Sequence, residues 1–291
     1  MPEGIVTKAV GGFFTVATSD GEYVCKARGV FRKQGVSVLV GDRVAFTPLP
    51  SREGVIQEVL PRKTELKRPP IANVDQAILV SSCTHPDFQS ALLDRMIVSS
   101  LAADLNPVLV VNKVDLLAME DVLSLARPYE TAGHQVVLVS TTAGIGLDEF
   151  RRILENRISV FVGPSGVGKS SLANMISPEL GLKMGDISEK MGRGKHTTRH
   201  VELFRLNEAT LVADAPGFSQ LEVSCKPEEL RHFFWEFAAP SEECAYRGCV
   251  HIDEDDCGVK RSVRLGQLPV VRYESYVSLY NECKEKEDHR Y

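Results

Sequence analysis

The stretch Gly163-Pro164-Ser165-Gly166-Val167-Gly168-Lys169-Ser170 has the spacing G-x-x-x-x-G-K-S. That pattern suits phosphate chemistry: glycines let successive backbone N–H groups converge on an anion, and a helix starting behind them adds its positive end. Lys169 can then reach the β- and γ-phosphates of a nucleoside triphosphate, Ser170 can ligate Mg²⁺, and Ser171 continues the cradle. A second set lies upstream, Asn112-Lys113-Val114-Asp115. The Asp115 carboxylate can accept from both N1–H and N2–H₂ of guanine, donors that adenine lacks. The Asn112 amide can bond the base's acceptors, and the Lys113 stem can cover the ring face. A site built to pair with those donors rejects a base without them strongly. Ser140-Thr141 ends a third apolar run and fits a loop touching the guanine carbonyl through backbone amides, with Thr141 where alanine is usual.

Downstream, Gly192-Arg193-Gly194-Lys195-His196-Thr197-Thr198-Arg199-His200 is polar and basic, and reads as a mobile loop. Thr198, in preference to Thr197, is the candidate Mg²⁺ ligand. Asp214-Ala215-Pro216-Gly217 follows a strand and has the form of a metal and γ-phosphate switch, with Asp214 near Mg²⁺ and the Gly217 N–H on the γ-phosphate. Phe218 stands next, where many GTPases carry a water-positioning glutamine. An apolar side chain cannot orient water, so low intrinsic turnover is expected. His196 is the candidate for ordering the water; contact with RNA or solvent is its other reading.

Cys244-x4-Cys249-x-His251-x5-Cys257 brings three thiolates and an imidazole into a short segment. Four such ligands with no spare position fit a closed structural Zn²⁺ site, one per chain. Cys25, Cys83, Cys225 and Cys283 read as ordinary thiols.

The elements that must position these groups follow from periodicity. Arg157–Val162 is a buried strand entering the glycine loop, and a short helix leaves it. Strands are expected at Ala77–Ser82, Pro107–Val111 and Gln135–Ser140, and helices at Ser90–Leu105, Asp121–Gly133 (interrupted at Pro128) and Leu147–Asn156. This alternation implies a doubly wound parallel sheet with ligand at the strands' carboxyl ends. Before it, five short runs between Gly4 and Val59, separated by turn residues, suggest a small OB-type barrel. Arg28, Phe31, Arg32 and Lys33 are candidates for an RNA-binding face; a barrel used only for packing is the alternative. Pro61–Pro70 reads as a linker. Helical patterns at Pro227–Phe237 and Pro269–Glu287 flank the cysteine cluster, and their aromatics read as packing residues. The expected division is 1–66 barrel, 67–222 GTPase domain, 223–291 zinc-binding domain.

The chain has 291 residues, 43% hydrophobic and 25% charged, which argues against wholesale disorder. It shows no bilayer-length apolar run and no leader, so cytoplasmic residence without a membrane partner is expected. Residues 1–68 hold eleven Lys/Arg against seven Asp/Glu, a local +4 within a net −5. A basic amino-terminal unit on an acidic protein suggests a polyanion partner, or simply a solvated surface.

The order of motifs is informative. The guanine tetrad and Ser140 precede the phosphate loop, while Thr198 and Asp214 follow it, so the usual GTPase ring order is kept but the chain is cut elsewhere: a circular permutation. With Arg68-Pro69-Pro70-Ile71-Ala72-Asn73-Val74-Asp75-Gln76 and the cysteine cluster added, nearly the whole chain resembles the bacterial small ribosomal subunit biogenesis GTPases of the RsgA/YjeQ type. The resemblance implies an amino-terminal OB barrel, a permuted α/β P-loop GTPase and a carboxyl-terminal zinc domain. It further implies a GTP hydrolase that binds the immature 30S subunit and its 16S rRNA late in assembly, uses Mg²⁺ with GTP, yields GDP and is stimulated by the ribosome. It also points to His196, alongside Lys169 and Gly217, as catalytic. A monomer is expected. An RNA-binding scaffold with structural nucleotide is the alternative function, and Asn112–Asp115 disfavours an ATP-dependent kinase.

Overall fold

The computed structural model describes residues 1–29, 31, 35–67, 70–176, 201–207, 209–214, 223, 225–289. They fall into two compact units, Met1–Ala77 with Asp148–Ser165 and Lys169–Ser219, and Ile78–Leu147 with Gly166–Gly168 and Gln220–Tyr291.

The first unit opens with a closed five-stranded barrel. Strands β1 (Glu3–Val10), β2 (Phe13–Thr18) and β3 (Gly21–Ala27) form an antiparallel meander. β5 (Glu53–Val59) lies parallel to β3 and antiparallel to β4 (Arg43–Leu49), and β4 closes on β1. This is the OB order. Alternation sends Val6, Val16, Cys25, Val44, Phe46 and Ile56 into one core, each fully buried. Phe31 also packs there, 8% exposed, so it is barrel core and not part of a binding face. Arg32 and Lys33 lie outside the described residues.

The described residues of the Pro61–Pro70 stretch are built into this unit instead of hanging as a linker. β6 (Glu65–Lys67) pairs with β7 (Pro70–Ala72). Arg62 grips the fully buried Asp42 with two bonds of 2.7 and 2.8 Å and reaches Glu65 at 2.6 Å. A bidentate guanidinium on a buried carboxylate fixes geometry as well as charge.

β11 (Ile158–Val162) is buried at every residue and runs parallel to β13 (Leu211–Asp214), which pairs with β12 (Glu202–Arg205), itself bridged to β1. The buried Gln76 amide fixes the start of β11 by bonding Ser159 Oγ at 2.9 Å and Ile153 O at 2.8 Å. In the second unit the strand order is β10 (Gln135–Leu138), β9 (Asn106–Asn112), β8 (Gln76–Ser82), with β10 parallel to β9.

Helix α1 (Ser90–Leu101) stops four residues before the expected end, because Asp104 is left-handed at φ 56° and Leu105 N–H turns back to Ser100 O. Helix α2 (Met119–Thr131) runs through Pro128 without interruption. The proline gives up one N–H bond to the preceding turn, and buried Val122, Ala126 and Tyr129 hold the face against that cost. Helix α3 (Leu147–Leu154) ends before Asn156, which is left-handed at φ 57°. Strand β10 stops at Leu138, and Ser140 instead forms an isolated bridge with Ile145. Helix α4 (Lys169–Ile176) follows the glycine loop.

Beyond β13 the chain makes 3₁₀ turns at Pro227–Phe233 and Trp235–Phe237, then helices α5 (Ala238–Ser241), α6 (Gly258–Arg264) and α7 (Val270–Asp288). Phe234, Phe237, Tyr276 and Leu279 make a core shared with Val98 of α1.

Candidate nucleotide site and metal centre

Asn112 ends β9 at 1% exposure, because the preceding Val108–Val111 are buried on both faces and carry it inward. Its Nδ2 donates to Val167 O at 2.8 Å, and its Oδ1 accepts from Lys113 N–H at 2.8 Å. The amide therefore ties the Asn112–Asp115 tetrad to the glycine loop at Val167. Lys113 takes a left-handed backbone, φ 64°, and its ammonium donates to Gly166 O at 2.8 Å and to His85 O. Two residues of one tetrad thus clamp Gly166–Val167. Asp115 is exposed, so its carboxylate is open to a ligand's donors.

Gly168 makes the close approach possible: a Cβ there would stand 2.2 Å from Asn112 Nδ2. The Ser140 hydroxyl, fully buried, accepts from Ala143 N–H at 2.9 Å and holds the turn that carries Thr141.

In the first unit, Lys169 is 9% exposed and its ammonium bonds Gly163 O at 2.8 Å and Pro164 O at 2.6 Å. The loop's own carbonyls thus hold the charge over the backbone that follows β11. Ser170 is buried beside it at the first turn of α4. The backbone of Asp214 closes β13. His196, Thr197, Thr198, Gly217 and Phe218 lie outside the described residues, as does the Asp214 side chain.

The cysteine cluster assembles as spacing suggested. Ligand atoms of Cys244, Cys249, His251 and Cys257 all lie within 4.8 Å of one another. His251 Nδ1 stands 3.6, 3.3 and 3.3 Å from the three sulfurs in that order, and Cys244 Sγ is 3.9 Å from Cys257 Sγ. Zn–S bonds of about 2.3 Å and Zn–N bonds of about 2.0 Å give tetrahedral edges of roughly 3.5–3.8 Å. The donor set therefore fits a closed zinc site. Burial, its leading cause, holds His251 down to about 4, so the imidazole is neutral at neutral pH, as a ligand must be. Its Nε2 lies 3.2 Å from Ser241 Oγ, and N–H groups of Gly258 and Lys260 point at Cys244 and Cys257 sulfur at 3.3 and 3.4 Å. These outer bonds orient the ligands.

Two features escaped sequence reasoning. The first is a buried ion cluster: Arg272 of α7 bonds Glu236 at 2.6 Å and also Asp94 of α1, with all three side chains at most 2% exposed. Its guanidinium lies 4.8 Å from the Phe234 ring centroid and 5.3 Å from that of Tyr129. Trp235 packs against buried His134, ring centroids 4.6 Å apart and planes tilted by 31°. The cysteine-bearing segment is therefore bound to α1 and α2 through charge as well as packing. The only signal in sequence was a lone arginine in an aromatic-flanked helix. The second is the exposed aromatic of the barrel. Phe13, 47% exposed, lies opposite Lys26 in the β2–β3 register, and the Lys26 ammonium sits 5.0 Å from the ring centroid. Strand alternation, with Phe14 pointing inward, could have found it.

Comparison with known proteins agrees with this architecture. The family model described as RsgA GTPase matches residues 59–224, and that of the RsgA N-terminal domain matches residues 3–56. The Small ribosomal subunit biogenesis GTPase RsgA of Caldanaerobacter subterraneus subsp. tengcongensis is 45% identical over 289 residues, covering 99% of this chain and 98% of that protein. The protein of the same name from Geobacillus kaustophilus is 47% identical over 290 residues, covering 98% and 99%. Among solved structures, YjeQ from Thermotoga maritima aligns with TM-score 0.83 and 37% identity over 97% of this chain and 98% of that one. YloQ, a circularly permuted GTPase, aligns with TM-score 0.82 and 38% identity over 98% and 96%.

Proposed function

The chain belongs to the RsgA GTPase family, and from that premise we propose that it binds the small ribosomal subunit and hydrolyses GTP to GDP and phosphate as that subunit matures. As a member of the family it is a GTP hydrolase that works with Mg²⁺. In this reading Gly163–Ser171 holds the phosphates and Asp115 selects guanine, with Asn112 and Lys113 bracing the phosphate loop. Ser140 and Thr141 cover the base carbonyl. Ser170, Thr198 and Asp214 serve Mg²⁺, Lys169 and the Gly217 N–H face the γ-phosphate, and His196 orders the water that Phe218 cannot. Cys244, Cys249, His251 and Cys257 hold zinc. The barrel and the zinc-bearing segment contact 16S rRNA, and the protein acts as a cytoplasmic monomer with division at 66 and 222.

The observation carrying this reading is the clamp of Asn112 and Lys113 on Gly166–Val167. It supports the reading because it draws the Asn112–Asp115 tetrad onto Gly166–Val167 of the glycine loop although the two motifs stand in permuted order. Phe13 with Lys26 supports the RNA contact, since an exposed ring beside a cation suits base stacking near phosphate. The decisive experiment is GTP turnover with and without purified 30S subunits. Stimulation that is abolished by Lys169→Ala is expected; turnover unchanged by 30S subunits overturns the proposal.

A further inference from the structure

Among the described residues, seven cysteines remain as free thiols. Three belong to the metal cluster. Cys25 and Cys83 are buried singly, and burial pushes both thiols up, Cys25 to about 11. The remaining two, Cys225 and Cys283, are near each other. They line one cavity of about 170 Å³ together with Lys226, Glu229, Lys286 and Glu287. Cys283 belongs to the packed core at 4% exposure, and Cys225 leans on the same core half-buried.

Each thiol shifts the other, with opposite consequences. The neighbouring Cys225 thiol draws Cys283 below the ordinary thiol range against burial and Glu282, helped by Lys286 and Arg95. The Cys283 thiol, then burial, pushes Cys225 up. One sulfur is thus favoured as the nucleophile, its neighbour keeps a proton to give, and a small cavity walled by Lys226 and Lys286 as well as Glu229 and Glu287 offers entry. A thiol lowered below its ordinary range beside an opening in the surface is the mark of a reactive cysteine.

We propose that Cys283 and Cys225 form a peroxide-sensitive dithiol that closes to a disulfide. The Cys283 sulfur attacks one oxygen of hydrogen peroxide, the O–O bond breaks, and Cys283 becomes a sulfenic acid as the first water leaves. The Cys225 sulfur then attacks that sulfur; the S–O bond breaks, and the hydroxyl departs with the thiol proton as a second water. Two thiols are oxidised and one peroxide is reduced. In sequence all four metal ligands lie between residues 225 and 283. The disulfide therefore closes a covalent loop around the segment that zinc organises, and it tethers the chain eight residues beyond Gly217.

The test uses the full-length, metal-loaded protein exposed to stoichiometric hydrogen peroxide. Peptide mapping without reductant is followed in time beside metal release. A Cys225–Cys283 cross-linked peptide that forms before metal is lost is expected, with Cys283 consumed about tenfold faster than Cys25. In Cys225→Ser the sulfenic acid of Cys283 should persist and be trapped by dimedone, whereas Cys283→Ser should leave Cys225 unmodified. Each variant is first checked for unchanged GDP binding. Cross-links appearing first among Cys244, Cys249 and Cys257, or no dimedone adduct on Cys283 in Cys225→Ser, overturn the proposal.

Discussion

Alanine at Gly168 should cost far more than alanine at Gly166, although the two stand two residues apart in one loop. Both backbones are left-handed, at φ +99° and +84°, and an L-residue in such a conformation carries about 1–3 kcal/mol of strain. Beyond that shared cost the sites differ. A Cβ at Gly166 meets nothing nearer than Pro86 Cδ at 3.6 Å, an ordinary contact. A Cβ at Gly168 would lie 2.2 Å from Asn112 Nδ2, so the amide must leave. Asn112 is buried, and its departure strands Val167 O and Lys113 N–H, about 1–3 kcal/mol for buried groups left unmatched. At 1.4 kcal/mol per tenfold, Gly168→Ala should fall below Gly166→Ala by roughly 5- to 150-fold. Titration with a fluorescent GDP analogue in Mg²⁺ measures the share seen in binding. Urea denaturation of the nucleotide-free protein measures the share seen in folding. The double variant Asn112→Ala/Gly168→Ala isolates the contact: with the amide gone the methyl has room, so the two changes should cost less together than their sum. Equal losses for the two alanine variants, or strict additivity in the double variant, would refute the clamp.

Burial, then Arg272, holds His134 at about 3, and neither ring nitrogen has a partner among the described residues. Its folded value lies below its unfolded one, so its stabilisation is full above about pH 6.5 and declines by roughly 1.4 kcal/mol per pH unit as pH falls toward 3. Asp94, raised to about 6 by burial, acts with the opposite sign, its contribution lost as pH rises from 3.8 to 6. His134→Phe removes only the first effect, so its urea midpoint should fall less steeply below pH 6.5 than the wild type's; parallel curves would contradict this. Arg272→Ala strands two buried carboxylates and should destabilise by about 3–5 kcal/mol, well beyond Arg95→Ala at a pair whose side chains are 29% exposed; similar denaturation midpoints would sink the idea. Stripping the metal with a chelator should release one zinc per chain and shift the emission of Trp235, the chain's single tryptophan, because its 3₁₀ turn shares the cluster's core. Cys249→Ser should reproduce that emission without chelator, and an unchanged spectrum in both would show the metal to be dispensable for packing.

The parts legible in the sequence were those whose chemistry is carried by a short run of backbone. The glycine loop, the Asn112–Asp115 tetrad and the Cys244–Cys257 spacing each hold their polar groups within a few residues. Residue type and interval therefore suffice to name the ligand, and their order along the chain exposes the permutation. Barrel strands were legible for a similar reason, since a period of two is local. What escaped depended on partners far away in sequence. Asn112 meets Val167 across 55 residues, and Arg272 meets Asp94 across 178. Phe31 and Phe13 are equally aromatic, yet one fills the barrel and the other faces solvent beside Lys26. A side chain's role in such places is set by which surface packing brings against it, and the free energy deciding that is summed over the whole core. The sequence by itself therefore determined which groups this protein can offer a ligand; only the tertiary structure decided which of those side chains hold one another in place.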